Sequence, residues 1–315
     1  MLITIKKPDD WHLHVRDGPM LKAVMAFSAR HFGRAIIMPN LVPPVTDVAA
    51  AIAYRERVMA ALPAGSTFKP LMTCYLTDQT DPDDVEQGFR NGVYTGVKLY
   101  PANATTNSAF GVTSFDKVAR VFARMEKIGM PLLIHGEEVD PDVDVFDREA
   151  VFIDRRLRPM TQQFPGLRII LEHVSSEYGV GFVRSAAPQV GGTITPYHLM
   201  LNRTMWLGGG LRPYMYCMPV IKTAKDRAAL RKAATSLSEI GSDLKGPQVW
   251  TSGDQGTPSF TGYSLFTSAY ISWPSSEARN SMSLTALSLF GAFLASTAPE
   301  MFTCVPRSLV LGNSM

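Results

Sequence analysis

Short apolar, β-branched segments alternate with longer helical patterns along most of this chain, and that alternation restricts its fold more than any other feature. Strands are predicted over 11–15, 35–38, 69–76, 96–100, 131–135, 168–173, 192–195 and 248–252. Helices are predicted between them, over 20–31, 49–61, 82–90, 114–127, 148–163, 176–186 and 224–237. Asp81-Pro82-Asp83-Asp84 places acids in a first turn, and Ser114-Phe115-Asp116 supplies a cap. Gly129 and Gly166 stand where helices should stop. Strands separated by helices pair in parallel, because each helix carries the chain back to the start of the next strand. Eight such strands close a (β/α)8 TIM barrel, and 315 residues are enough for one. A doubly wound open sheet is the alternative with the same pattern. No repeat and no linker divides the chain before residue 245. Residues 1–254 therefore read as one barrel.

Composition narrows the partners. Apolar residues make up 46% of the chain, enough for a sizeable core. Acids and bases are mixed, with a net charge of +3, so neither nucleic acid nor a membrane surface is implied as a partner. Cys74, Cys217 and Cys304 are far apart and odd in number, which argues against a disulfide framework and for a reducing, cytoplasmic setting. The N-terminus lacks the apolar core of a secretory signal, and no run of about 18 apolar residues suggests a membrane span. Residues 255–315 differ in character: they contain no Lys and no Asp, and their only charges are Glu277, Arg279, Glu300 and Arg307. Outer helices of a barrel need charged solvent faces. This segment is an atypical C-terminal tail that completes or abuts the barrel.

The candidate chemistry lies at strand ends. His12 and His14 are two residues apart on a strand and point the same way, so both can hold one metal ion. Arg16 follows on the same face and suits a bidentate grip on a carboxylate, or else a surface salt bridge. Lys98 lies inside the apolar run Gly96-Val97-Lys98-Leu99-Tyr100, where an ammonium is costly unless paired or neutralised. It either reaches water or an acid at the strand end, or loses its proton. As a free amine it could add carbon dioxide, giving an anionic carbamate able to bridge two metal ions. His135 and His173 each end an apolar strand, at the barrel face where active sites of this fold sit. Asp254 ends the eighth predicted strand. Such nitrogen and oxygen donors suit zinc, with manganese, cobalt or iron as alternatives.

Asp10-Trp11-His12-Leu13-His14-Val15-Arg16-Asp17-Gly18 resembles the opening motif of dihydroorotases, in particular the short single-function class of the amidohydrolase superfamily. Further matches follow in order. They are Met38-Pro39-Asn40, Gly96 to Ala102, Asn103-Ala104-Thr105-Thr106-Asn107, Ile134-His135-Gly136-Glu137, Leu171-Glu172-His173, Thr195-Pro196-Tyr197-His198-Leu199 and Arg212 to Pro219. The resemblance covers about residues 1 to 245 and implies a zinc-dependent enzyme of pyrimidine synthesis. Its reaction would be the reversible cyclisation of N-carbamoyl-L-aspartate to L-dihydroorotate. It further implies two zinc ions per subunit, one on His12 and His14 and one on His135 and His173, bridged by N6-carboxylated Lys98. Asp254 would be both a metal ligand and the catalytic acid–base. Arg16 and Asn40 would bind the substrate carboxylate. Thr105 and Thr106 would tip a mobile loop, and Met218 would contact the ring through its backbone. Relatives imply a homodimer.

The sequence departs from the family after strand eight. The family reads Asp-Ser-Ala-Pro-His there, whereas this chain reads Asp254-Gln255-Gly256-Thr257-Pro258-Ser259-Phe260, and His198 is its last histidine. A reading frame shifted over some or all of the tail accounts for this, as does a divergent gene copy. A coding sequence in which no single-base change restores Asp-x-Ala-Pro-His removes the frameshift explanation. Two other functions are weighed. A hydantoinase-like cyclic-amide hydrolase explains the metals but not Arg16, Asn40 and the Thr105-Thr106 loop. A catalytically impaired or non-catalytic relative explains the tail but not the intact ligands.

Overall fold

The computed structural model describes residues 7–235, 251–252 and 258–259. Seven strands form one sheet in chain order, each pair of neighbours parallel: β1 (Asp10–Leu13), β2 (Arg34–Ile37), β3 (Lys69–Tyr75), β4 (Gly96–Leu99), β5 (Leu132–His135), β6 (Ile169–Glu172) and β7 (Val190–Gly192). Sequential parallel order is the arrangement of a TIM barrel, not of a doubly wound sheet, whose order reverses. The crossovers contain α1 (Gly18–His31), α2 (Val48–Ala60), α3 (Pro82–Arg90), α4 (Phe115–Ile128), α5 (Arg148–Phe152), α6 (Arg158–Gln163) and α7 (Glu177–Ser185). After β7 come α8 (Pro196–Met200), α9 (Arg203–Leu207) and α10 (Ala224–Thr235).

Local chemistry sets these boundaries. Asp17, Asp47, Asp81, Ser114, Ser176, Thr195 and Asn202 each cap a helix N-terminus, with the side chain accepting from a backbone N–H that the helix cannot satisfy. Gly129 ends α4 in the left-handed conformation, φ 70°, as its place in the sequence predicts. The helix predicted over 148–163 is interrupted. A π-helical turn, Ile153–Leu157, separates α5 from α6, and Arg158 N donates to Ile153 O five residues back. Pro159 is the cause: it has no N–H and its ring crowds the carbonyl four residues earlier, so the backbone widens before it.

Period-two alternation divides each strand between two cores. Ile37, Leu132, Ile134, Ile169 and Leu171 pack outward in the large cluster shared with the helices. Ile36, Met38, Leu133 and Ile170 form a separate cluster on the opposite, inner face. Burying each such side chain is worth about 1.5–3 kcal/mol, so a register slip that exchanged the faces would be strongly disfavoured. Lys98 pairs in register with Leu133 and therefore faces inward.

Three predictions of secondary structure need correction. The seventh strand is Val190–Gly192, two residues earlier than the predicted 192–195. Gly191 and Gly192 give no apolar signal, yet Gly192 sits where an added Cβ would lie 3.2 Å from both Val174 Cγ2 and Val183 Cγ2. Helices α8 and α9 fall in a stretch predicted without helices, because each is only five residues long. Of the eighth predicted strand, the described residues Thr251–Ser252 pair antiparallel with Pro258–Ser259 and do not join the seven-stranded sheet. A partner so close in sequence has a small loop-closure cost.

Candidate metal centre

Four imidazoles converge above the inner core. His12 Nε2 lies 3.0 Å from His14 Nε2. Ring centroids are 4.9 Å apart for His12 and His14, 5.0 Å for His12 and His173, and 4.8 Å for His135 and His173. Two nitrogens on one tetrahedral zinc, each about 2.0–2.1 Å from it, stand roughly 3.3 Å apart, close to the His12–His14 spacing. Burial lowers the pKa of His12, His14 and His173, which favours the neutral rings that ligate metals. Nδ1 of His14 and Nδ1 of His173 are buried without a hydrogen-bond partner. The donor set, the close pair of Nε2 atoms on His12 and His14 and the orphaned Nδ1 of His173 fit a bound cation.

Lys98 lies at the floor of this cluster, 0% exposed, with its Nζ donating to Glu172 Oε2. The other carboxylate oxygen, Oε1, is 2.9 Å from His12 Nδ1. Burial alone would raise the Glu172 pKa, but His12 and Lys98 hold it down to about 2. Burial also lowers the Lys98 pKa, against the pull of Glu172. Lys98 Nζ stands 4.8 Å from the centroid of the Tyr100 ring, and the Tyr100 hydroxyl is buried without a partner. His12, Glu172 and His173 bring potential ligand atoms within 4.8 Å of one another.

A cavity of about 380 Å³ opens over these groups. His12, His14, His135 and His173 line it, as do all five predicted substrate contacts: Arg16, Asn40, Thr105, Thr106 and Met218. Arg16 takes φ 56°, which is uncommon for a residue with a Cβ, and its Nη1 is buried without a partner. Tyr54 holds this turn by donating from its hydroxyl to Arg16 O at 2.7 Å. Asn40 Nδ2 donates to Thr106 O at 3.0 Å, and Asn107 Nδ2 donates back to Asn40 O at 3.0 Å. These bonds lay the 103–108 loop against the cavity. Asp254 lies outside the described residues.

Sequence reasoning passed over Glu172, although a signal existed: it is two residues after the inward Ile170 and pairs in register with His135. Glu137, two residues after His135, sets its Oε2 2.7 Å from His135 Nε2, a contact that the motif alone does not reveal. Arg148 lines the cavity with its Nε buried and unpartnered; at the start of a helix it carries no mark of an inward position.

His198 closes one wall as a structural residue. Its Nε2 is 2.8 Å from Pro219 O, which can only accept, so Nε2 carries the proton. Nδ1 then accepts from Thr195 Oγ1 at 2.8 Å. Burial, with Lys222 nearby, lowers its pKa to about 3. A histidine lowered on folding binds its proton more readily when unfolded, so its contribution to stability falls as pH drops from 6.5 towards 3. Between pH 7 and 5 that loss is about 2 kcal/mol. His198→Gln should flatten the decline of melting temperature over this range; parallel curves for variant and wild type would refute the assignment.

The chain is similar to curated dihydroorotases. It is 55% identical to that of Escherichia fergusonii over 235 residues, covering 75% of this chain and 68% of the relative. It is 58% identical to that of Parasynechococcus marenigrum over 234 residues, covering 74% and 68%. The crystal structure of the Campylobacter jejuni dihydroorotase superposes with a TM-score of 0.68 at 35% identity, covering 74% of this chain and 67% of that one. No family model matches the chain. With the inward-facing imidazoles and the sequential parallel sheet, these likenesses place the molecule: the chain belongs to the dihydroorotase family.

Proposed function

We propose that this chain catalyses the reversible cyclisation of N-carbamoyl-L-aspartate to L-dihydroorotate as a two-zinc dihydroorotase of de novo pyrimidine synthesis. Its family consists of metal-dependent cyclic-amide hydrolases. The observation that carries the reading is one cavity lined by four imidazoles and by Arg16, whose Nη1 is buried without a partner. In this reading His12 and His14 would hold one ion, and His135 and His173 the other. Lys98, fully buried beneath these rings, would in its N6-carboxylated form supply anionic oxygen ligands to both ions. When bound, the metals supply a nucleophile at neutral pH and polarise the ring amide carbonyl.

This chain's own residues do the rest. Arg16, with buried Nη1 free, and Asn40, with buried Oδ1 unpartnered, orient the carboxylate and amide edge of the substrate. Thr105 and Thr106 close over it from the 103–108 loop and exclude water. Met218 forms the wall against the ring. A carboxylate takes up the proton from the nucleophile and returns it to the leaving nitrogen; Asp254 is assigned that step and a place among the metal ligands. We assign residues 1–254 to the hydrolase barrel and 255–315 to a C-terminal segment that would complete or abut it, although Thr251–Ser252 do not pair with the seven-stranded sheet. We assign the chain to the cytoplasm, as a homodimer with a small-molecule substrate and neither nucleic-acid nor membrane partners. Among the described residues no helix is long and apolar enough to cross a membrane.

Zinc content and the fall in ultraviolet absorbance on adding L-dihydroorotate test this directly. Two equivalents of zinc with no turnover would reject it in favour of a non-catalytic relative. Arg16→Met should retain its metal yet lose about 10²–10³ in kcat/KM, the cost of removing a charged hydrogen-bond partner worth roughly 3–4 kcal/mol. An unchanged kcat/KM would remove Arg16 from the substrate site.

A further inference from the structure

His173 presents a geometric problem that the rest of the fold has to solve. On β6 the inward positions are Ile170 and Glu172, so the next residue should turn its side chain outward. His173 instead lines the cavity, and it does so by taking φ 44°, in the left-handed region that residues with a Cβ rarely enter. Such a conformation persists only where the surroundings over-determine it.

The backbone amides at and after His173 are each fixed. His173 N donates to Thr193 Oγ1 at 2.9 Å, Val174 N to Thr193 O at 2.7 Å, and Ser175 N to Glu149 Oε2 at 2.8 Å. Glu149 is 1% exposed and belongs to α5, the helix that follows β5. Its Oε2 also accepts from Ser175 Oγ at 2.7 Å, and its Oε1 accepts from Ser176 Oγ. Lys222, likewise buried, donates from Nζ to Ser175 Oγ at 2.6 Å. The serine hydroxyl thus joins a buried carboxylate to a buried ammonium, donating to the first and accepting from the second. Gly179 leaves room for this arrangement: a Cβ there would stand 2.5 Å from Glu149 Oε1 and 2.7 Å from Val174 Cγ1.

We infer that Glu149, with Ser175, Lys222 and Thr193, forms a charge-balanced clamp that holds His173 in its left-handed conformation and so aims its imidazole at the metal centre. These are positioning residues, acting through His173 without touching substrate. The inference rests on the two-metal reading of the cavity. Loss of the clamp frees the 173–176 turn to relax, which turns the imidazole away while the strands stay paired.

The test is zinc release from the loaded full-length protein to a chromogenic chelator, followed with circular dichroism and thermal melting. In Glu149→Gln and Thr193→Val, one of the two zinc equivalents should transfer about 10- to 100-fold faster than in wild type, with far-UV dichroism unchanged. Thr193→Ser keeps the acceptor oxygen and should release zinc at the wild-type rate, whereas Thr193→Val removes it at nearly constant shape. Gly179→Ala should copy Glu149→Gln. Wild-type release rates in both Glu149→Gln and Thr193→Val, even with lowered melting temperatures, would reduce the network to a purely structural one and overturn the clamp. If Glu149→Gln does not fold, the Thr193 pair decides alone. A wild-type protein that takes up no zinc would instead overturn the two-metal reading, and the clamp with it.

Discussion

Lys98→Met should lower kcat/KM for L-dihydroorotate by about three orders of magnitude or more, the size of effect that follows when roughly 4 kcal/mol of transition-state stabilisation is lost. Methionine keeps the length and apolar stem of the side chain and removes only the nitrogen. Lys98 is fully buried beneath the four imidazoles, so no neighbour can take its place from solvent. A carboxylated lysine would contribute two oxygens there, and methionine none. Lys98→Arg separates charge from carboxylation, because a guanidinium keeps the positive charge facing Glu172 and does not form a carbamate. Equal losses in both variants would support a carboxylated Lys98. Retention of turnover within tenfold in Lys98→Met would exclude it as the bridge. Metal counting on the same samples would then show whether the ions leave or stay without turnover.

The second large effect concerns stability of the metal-free protein. Lys98 and Glu172 form an ion pair in which both side chains are 0% exposed. Removing one partner of such a pair leaves an uncompensated buried charge and costs about 3–5 kcal/mol. Lys98→Met should therefore lower the melting temperature of the apo protein by roughly 10 °C, taking about 2–4 °C per kcal/mol for a chain of this size. The double variant Lys98→Met with Glu172→Gln should recover most of that loss, since neither charge then remains. His12 Nδ1, 2.9 Å from Glu172 Oε1, can soften the first effect by taking a proton. Additive losses in the double-variant cycle would mean that the two groups are not coupled in the apo protein.

Both experiments address a site whose parts differ in how legible they were. His12 and His14 could be read directly, because residues two apart on a strand share a face; their Nε2 atoms meet at 3.0 Å. Lys98 could be read from its cost, since an ammonium inside an apolar strand demands a partner. The sequence left open whether that partner was water, an acid or a metal; in the structure it is Glu172. Arg16 could be read from the same period of two as a candidate carboxylate grip, whereas Asn40, Thr105, Thr106 and Met218 came from a resemblance, and no periodicity marks them. The cavity nevertheless collects all five from the segments after β1, β2, β4 and β7. Arg148 and Glu149 were hidden inside an ordinary helical pattern.

The alternation of β1–β7 with their crossover helices was determined by the sequence alone, because burial of one face imposes a period of two or 3.6 on local residue choice. The parallel sense of the sheet follows from that alternation; its sequential order, as against the reversed order of a doubly wound sheet, does not. What only the tertiary structure decided is where a side chain goes once its strand ends. His173 falls on the outward phase of β6, and local pattern would send it away from the cavity. It reaches the imidazole cluster because Thr193, Glu149 and, through Ser175, Lys222 hold the turn in a left-handed conformation. Those partners are 20 to 49 residues distant in sequence, and a window along the chain cannot register hydrogen bonds that form only when separate strands and helices are packed together.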